Sequence, residues 1–262
     1  MTQALLWAAA GTGFTALMTA LGAGVVFLLP GRSTPDLQKL LLGFAAGVMI
    51  AASIWSLLLP AIEAAREQNL PGWLPAAGGS SLGIAFLLLM DALLPHLTPE
   101  SFLASGRTAP RRNLLLVLAV TLHNIPEGMA VGVSFALAAQ QGQPALLTSA
   151  AALALGIGIQ NFPEGAAIAL PLQQQGMSRR HAFALGAGSG IVEPVFGLLT
   201  VLAVGSIRSL LPWFLSFAAG AMLYVVVEEL IPQASDAQAR HAGTLGVMTG
   251  FLIMMILDVA LG

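Results

Sequence analysis

Cysteine is absent from this 262-residue sequence, tyrosine occurs once, and only 8% of the residues carry charge. The first absence excludes disulfides and thiolate metal sites, so any bound metal must take imidazole, carboxylate, amide or thioether ligands. A formal net charge of −2 with no basic tail speaks against nucleic acid as a partner. There is no nucleotide-binding loop either, so any transport must draw on gradients rather than ATP. What is present is apolar: 57% hydrophobic residues and a mean hydropathy of +0.86, more than a soluble surface can hold in water. The chain reads as an all-α polytopic membrane protein in contact with the lipid bilayer and without an organic cofactor.

Proline, glycine and charge divide the sequence into eight apolar runs: 4–29, 38–63, 72–96, 113–140, 145–172, 181–206, 211–233 and 243–261. Each is long enough for a transmembrane helix, and none alternates with the period of a barrel strand. The first run has no Lys or Arg before it and is too long for a signal core, so it is expected to be an uncleaved span. If the loops alternate sides, one side carries Arg32, Lys39, Arg107, Arg111, Arg112, Arg179, Arg180 and Arg240, and the other only Arg66 and Arg208. The first side is therefore expected to be cytoplasmic, with both termini outside.

Two self-similarities predict an inverted repeat. Phe44-Ala45-Ala46-Gly47-Val48-Met49 in the second span returns as Phe217-Ala218-Ala219-Gly220-Ala221-Met222 in the seventh. The spacing from Gly83 to Asp91 in the third returns from Gly250 to Asp258 in the eighth. Equivalent spans run in opposite directions, so residues 1–96 and 181–262 form a three-helix pair around the central helices of 113–172, a 3+2+3 arrangement within one transporter domain.

The central pair carries the chemistry. His123-Asn124-Ile125-Pro126-Glu127-Gly128 lies in the fourth span and Gln160-Asn161-Phe162-Pro163-Glu164-Gly165 in the fifth. In each, the first residue and the Glu are four apart and share a helix face, and the Asn three before the Glu joins them. The intervening proline removes a backbone donor, freeing a carbonyl that can face a cavity. The sixth span adds Glu193-Pro194 at similar depth. His123, Asn124, Glu127, Gln160, Asn161, Glu164 and Glu193 thus meet at mid-membrane, with no Lys or Arg in the middle of any span. Three buried carboxylates need protons or a cation, and the imidazole points to the cation. Nitrogen with carboxylate oxygen suits a divalent transition metal better than Ca or Mg.

On these motifs the chain resembles the ZIP family of divalent metal-ion transporters, and its bacterial GufA-like branch in particular. The resemblance implies eight helices, both termini outside, a plasma (bacterial inner) membrane location and an elevator-like movement of the metal-bearing helices. It also implies one metal position around His123, Glu127, Gln160 and Glu164, and a second involving Asn124, Glu127, Asn161, Glu164 and Glu193. One or two ions, zinc or cadmium foremost and iron or manganese also, would be bound per chain as substrate. The sequence departs from the family pattern at Gln160, where many members carry His, at Asn161, where Asp is frequent, and in the loop after the third span, which keeps only His96. A homodimer is compatible with this pattern.

Residues away from the centre leave alternatives open. Glu228-Glu229, before Pro232, fit an exit relay or a carboxylate pair at the water interface. Glu63 and Asp258 fit cation attraction at the outer face or ordinary interfacial charge. Met49, with Ser56 seven residues on, fits a soft ligand along a path or core filling. Asp91 is expected to bond backbone or water, and His181 and His241 to be exposed. Besides secondary metal transport, two functions stay open: an intramembrane metalloenzyme, disfavoured because no His-Glu-x-x-His is present, and a metal sensor without flux.

Overall fold

The structure is a computed structural model that describes residues 1–28, 35–97, 108–174, 176–206, 208–235 and 241–261. Within these, the side chains of 35, 38, 94–97, 108–116, 119, 123, 174, 205, 206, 208 and 261 lie outside the description. The loop charges Arg32, Arg107 and Arg240 also fall outside it, as do the side chains of Arg111, Arg112, Arg208 and His96.

Every described element is helical. α1 is Thr2–Leu28, and α2 runs from Pro35–Ala52 through a π-helical turn, Ser53–Leu58, into Leu59–Glu67. α3 is Trp73–Leu97, α4 Thr108–Gln141 and α5 Pro144–Gln174. α6 comes in two pieces, Arg179–Ser189 and Val192–Ser206. α7 runs from Leu211–Val225 through a second π-helical turn, Val226–Leu230, to Ile231–Ala234, and α8 is Ala242–Leu261. Among the described residues seven helices are long and apolar enough to cross a membrane, which makes the chain a polytopic membrane protein; α4, whose first half lies partly outside the described side chains, is the eighth long helix but not one of the seven.

The connections follow the local sequence. Asn69, at φ 58°, ends α2, and Leu70 N–H closes back on the Ala65 carbonyl at 2.9 Å. Gly142, at φ 65°, turns α4 into Pro144 at the start of α5. Ser178 caps α6, its hydroxyl accepting from His181 N–H at 3.4 Å. As expected, His181 and His241 are exposed.

Prolines explain three irregularities that the apolar runs do not reveal. The α2 and α7 π-turns both precede a proline, Pro60 and Pro232. In each, the residue just before the proline donates its amide five residues back, Leu59 to Ile54 and Ile231 to Val226. A proline ring cannot follow a normal helical turn without clashing and losing a donor, and widening the turn relieves both. In α6, expected as one continuous helix over 181–206, Pro194 has no amide for the carbonyl of Gly190. The helix tightens there: Gly190, Ile191 and Glu193 donate three residues back, to Ala187, Gly188 and Gly190.

Four helix pairs form the frame: α2 along α8, α3 along α7, α1 along α5 and α4 along α6. Glycine permits the closest approaches. A Cβ on Gly250 would collide with the Phe44 carbonyl, and one on Gly83 with the Phe217 carbonyl. Phe44 and Phe217 open the two copies of the repeated motif. Likewise a Cβ on Gly128 would meet the Glu193 carbonyl, and one on Gly165 the Thr19 carbonyl. Such backbone contact is how helices associate where lipid removes the hydrophobic drive between them.

Candidate metal centre

Asn124 and Glu127 on α4 face Gln160, Asn161 and Glu164 on α5, with Glu193 opposite in the first turn of the second piece of α6. The structure brings all six together. Asn124, Gln160, Asn161 and Glu193 are fully buried, and Glu127 is exposed by 1%. The side chain of His123, the remaining expected ligand, lies outside the described residues; its backbone is one helical turn before Glu127.

Hydrogen bonds knit the cluster. Gln160 Nε2 donates to Glu127 Oε1 at 2.6 Å and approaches Asn161 Oδ1 at 3.5 Å. Asn161 Nδ2 lies 3.0 Å from each oxygen of Glu193. Asn124 Nδ2 donates to the Ser189 carbonyl at 3.0 Å, just where α6 tightens. Four buried oxygens of this cluster have no hydrogen-bond partner among the described residues: Asn124 Oδ1, Glu127 Oε2, Gln160 Oε1 and Glu164 Oε1. All belong to α4 and α5. Buried acceptors without donors are uncommon in folded proteins, and a group of four from carboxylates and amides is a donor set for a cation. Among the described residues no three His, Cys, Asp or Glu side chains converge closely enough to hold an ion by themselves. The amide oxygens of Asn124 and Gln160 stand in the same group as the carboxylate oxygens.

A cavity of about 60 Å³ opens beside these groups, lined by Met49, Glu127, Glu164, Glu229 and Gln233 among others. A water needs roughly 10–15 Å³ of such space, so a few waters or a partly hydrated ion fit. Next to it lies an apolar chamber of about 320 Å³, lined by residues such as Leu37, Phe162 and Leu170. The two share Leu42, Ala167 and Gln233 as walls.

The outlying candidates divide. Met49 is buried and lines the cavity, and so does Glu229 on the α7 π-turn. Glu228, its neighbour, is exposed and is not among the lining residues, and Glu63 is exposed at the end of α2. Ser56 does not join Met49: its hydroxyl donates to Asp258 Oδ1 at 2.5 Å, in a buried contact between α2 and α8. Asp91, expected to bond backbone or water, instead accepts from the Tyr224 hydroxyl at 2.8 Å.

Sequence reasoning missed α1. Thr12, Thr15 and Thr19 are fully buried, and Thr19 Oγ1 donates to Glu193 Oε1 at 3.3 Å. The Thr15 carbonyl lies 3.4 Å from Asn161 Nδ2. The signal was the spacing of three hydroxyls by three and four residues, one stripe on an otherwise apolar helix.

The sequence profile of the family described as "ZIP Zinc transporter" matches residues 103–258. The chain is 40% identical to zinc transporter GufA of Myxococcus xanthus, over 96% of this chain and 100% of that protein. Zinc transporter ZIP11 of Homo sapiens is 38% identical over 99% of this chain and 97% of its own. Zinc transporter ZIPB of Bordetella bronchiseptica is 39% identical over 95% and 79% respectively.

Proposed function

The chain belongs to the ZIP zinc transporter family, and from that premise we propose that it carries zinc into the cytoplasm with the α4–α5 centre as the resting place of the ion. The observation that carries this reading is the group of four buried oxygens, unpartnered among the described residues, beside a cavity that reaches Glu229 and Gln233. Glu127, Glu164, Asn124 and Gln160 supply oxygen, and His123, on the same face as Glu127, supplies nitrogen. Cadmium, iron and manganese have the same ligand preference and are the alternative cargo. Asn161 and Glu193 complete the cluster, where a second ion is the family's expectation. Glu229 and Met49 line the way between the centre and the proposed cytoplasmic side.

The proposed topology has eight spans, both termini outside and the plasma membrane of a bacterium as the setting, on the eight-to-two division of Lys and Arg. The packing supports an inverted repeat. Exchanging α1 with α6, α2 with α7, α3 with α8 and α4 with α5 converts the α2–α8 pair into α7–α3, and the α1–α5 pair into α6–α4. It also turns the looser α4–α7 contact into α5–α2. Two blocks follow, α1, α4, α5 and α6 around the metal centre, and α2, α3, α7 and α8 beside it. Sliding of the first block past the second is the proposed alternating-access step. The family consists of transporters rather than enzymes, which leaves no part for an intramembrane hydrolase.

Uptake by proteoliposomes, read with an enclosed zinc-sensitive dye, tests the proposal. The unaltered chain is expected to load zinc well above empty liposomes, and the Glu127→Ala plus Glu164→Ala variant to match them. Equal uptake by both proteins would sink it.

A further inference from the structure

The three carboxylates of the centre are not equivalent. Glu127 and Glu164 each present an oxygen that no group among the described residues meets, whereas both oxygens of Glu193 are engaged. Asn161 Nδ2 lies 3.0 Å from Oε1 and 3.0 Å from Oε2, and Thr19 Oγ1 donates to Oε1 at 3.3 Å. The same amide nitrogen also reaches the Thr15 carbonyl at 3.4 Å. Glu193, Asn161, Thr15 and Thr19 are all fully buried, so water does not replace any of these partners.

An amide N–H₂ group is a donor only, and its hydrogens carry positive partial charge. Aimed at a carboxylate, it fills the place a cation would take between the two residues and repels an ion brought there. Nor do Glu127, Glu164 and Glu193 converge closely enough to enclose one ion together. The bonds continue outward instead. Glu193 fixes the Asn161 nitrogen, Asn161 Oδ1 receives Gln160 Nε2 at 3.5 Å, and Gln160 Nε2 donates to Glu127 at 2.6 Å. That chain of contacts aims the Gln160 nitrogen at Glu127 and leaves the amide oxygen without a partner among the described residues.

The structure assigns Glu193, with Asn161, Thr15 and Thr19, to a hydrogen-bonded frame that positions Gln160, leaving a single zinc position between α4 and α5 and one ion per chain. This rests on the metal reading above and removes Glu193 from the ligands. Asn161 acts as an internal substitute for a second ion, and the threonines of α1 are positioning residues.

Calorimetric titration of the purified full chain with Zn²⁺ in detergent tests it. One ion per chain is expected. Asn161→Asp sets two carboxylates against each other, and the stoichiometry is expected to rise to two. Glu193→Gln keeps an acceptor for Asn161 and should weaken zinc by less than about fivefold, whereas Glu193→Ala loosens Asn161 and Gln160 and should weaken it by about tenfold or more, the range seen when partners of metal ligands are removed. Glu164→Gln, a change in a ligand, should exceed about a hundredfold. If Glu193→Ala does not fold, the comparison of Glu193→Gln with Glu164→Gln decides alone. Two ions in the unaltered chain, or equal losses for Glu193→Gln and Glu164→Gln, would overturn the assignment. Absence of zinc heat from the unaltered chain would instead remove the metal reading itself, and this assignment with it.

Discussion

The two π-turns are the same local fault placed in different company. Each comes a few residues after a copy of the Phe-Ala-Ala-Gly motif and just before a proline, and each sends an amide five residues back across the widened turn. On α2 the turn is shut: Ser53, Ser56 and Leu57 are buried, and Ser56 is bonded to Asp258 of α8. On α7 only Val226 is buried, while Glu229 and Leu230 line the cavity that touches Glu127 and Glu164. The neighbour decides, not the turn. α8 offers Asp258 to the α2 turn, whereas on the α7 side the carboxylate of α3, Asp91, is bonded by Tyr224. In the proposed orientation the α2 turn lies toward the outer face and the α7 turn toward the cytoplasm.

The heaviest blow to this comparison would fall on the contacts that make the halves alike. Gly250→Val and Gly83→Val each drive a side chain into a facing backbone carbonyl that cannot move aside. Both variants are expected to lose most of their folded, monodisperse yield in size-exclusion chromatography of a fluorescent fusion. Normal yield from either would mean that the α2–α8 and α3–α7 pairs are not equivalent.

A smaller effect separates the two carboxylates of the α7 turn. Glu229→Lys puts a fixed cation into the cavity and is expected to cut zinc uptake at least about tenfold through repulsion of the ion. Glu228→Lys, exposed beside it, should change uptake less than about twofold, as surface charges usually do. Equal losses in the liposome assay would show that the turn acts as a whole rather than through its cavity wall.

Least costly should be the seal itself. Ser56→Ala removes one buried hydrogen bond, worth about 1–2 kcal/mol between membrane helices. A drop of a few degrees in the thermal midpoint is expected, with folding retained. A rise in the midpoint would show that the Ser56–Asp258 contact is not a stabilising one.

Much of this was legible in the chain. The eight apolar runs fall on the eight long helices, with ends displaced by a few residues, because long helical runs between proline, glycine and charge leave little freedom of assignment. The paired Pro-Glu-Gly motifs were legible because ionisable groups within apolar spans stand out. The threonines of α1 were not, since a hydroxyl that bonds its own helix, as Thr12 bonds the Ala8 carbonyl at 2.7 Å, costs little in an apolar span and draws no notice. Ser56 and Asp258 were placed in separate readings because nothing local joins residues that far apart in sequence. The π-turns depend on how a proline is accommodated, and Pro126 and Pro163 lie inside helices that stay α-helical, so proline alone did not announce them.

The cavity beside Glu127 and Glu164 also has an electrical consequence in the proposed orientation. Wherever water or ions follow the protein inward, the membrane potential drops little, and in the proposed orientation the remaining fall would lie across the packed residues on the outer side of Glu127. An ion carrying two charges gains roughly 4.6 kcal/mol per 100 mV in crossing a full drop. In that orientation the packed residues outside Glu127 would meet the steepest voltage gradient, and an inside-negative potential would press a divalent ion arriving from outside toward Glu127 and Glu164.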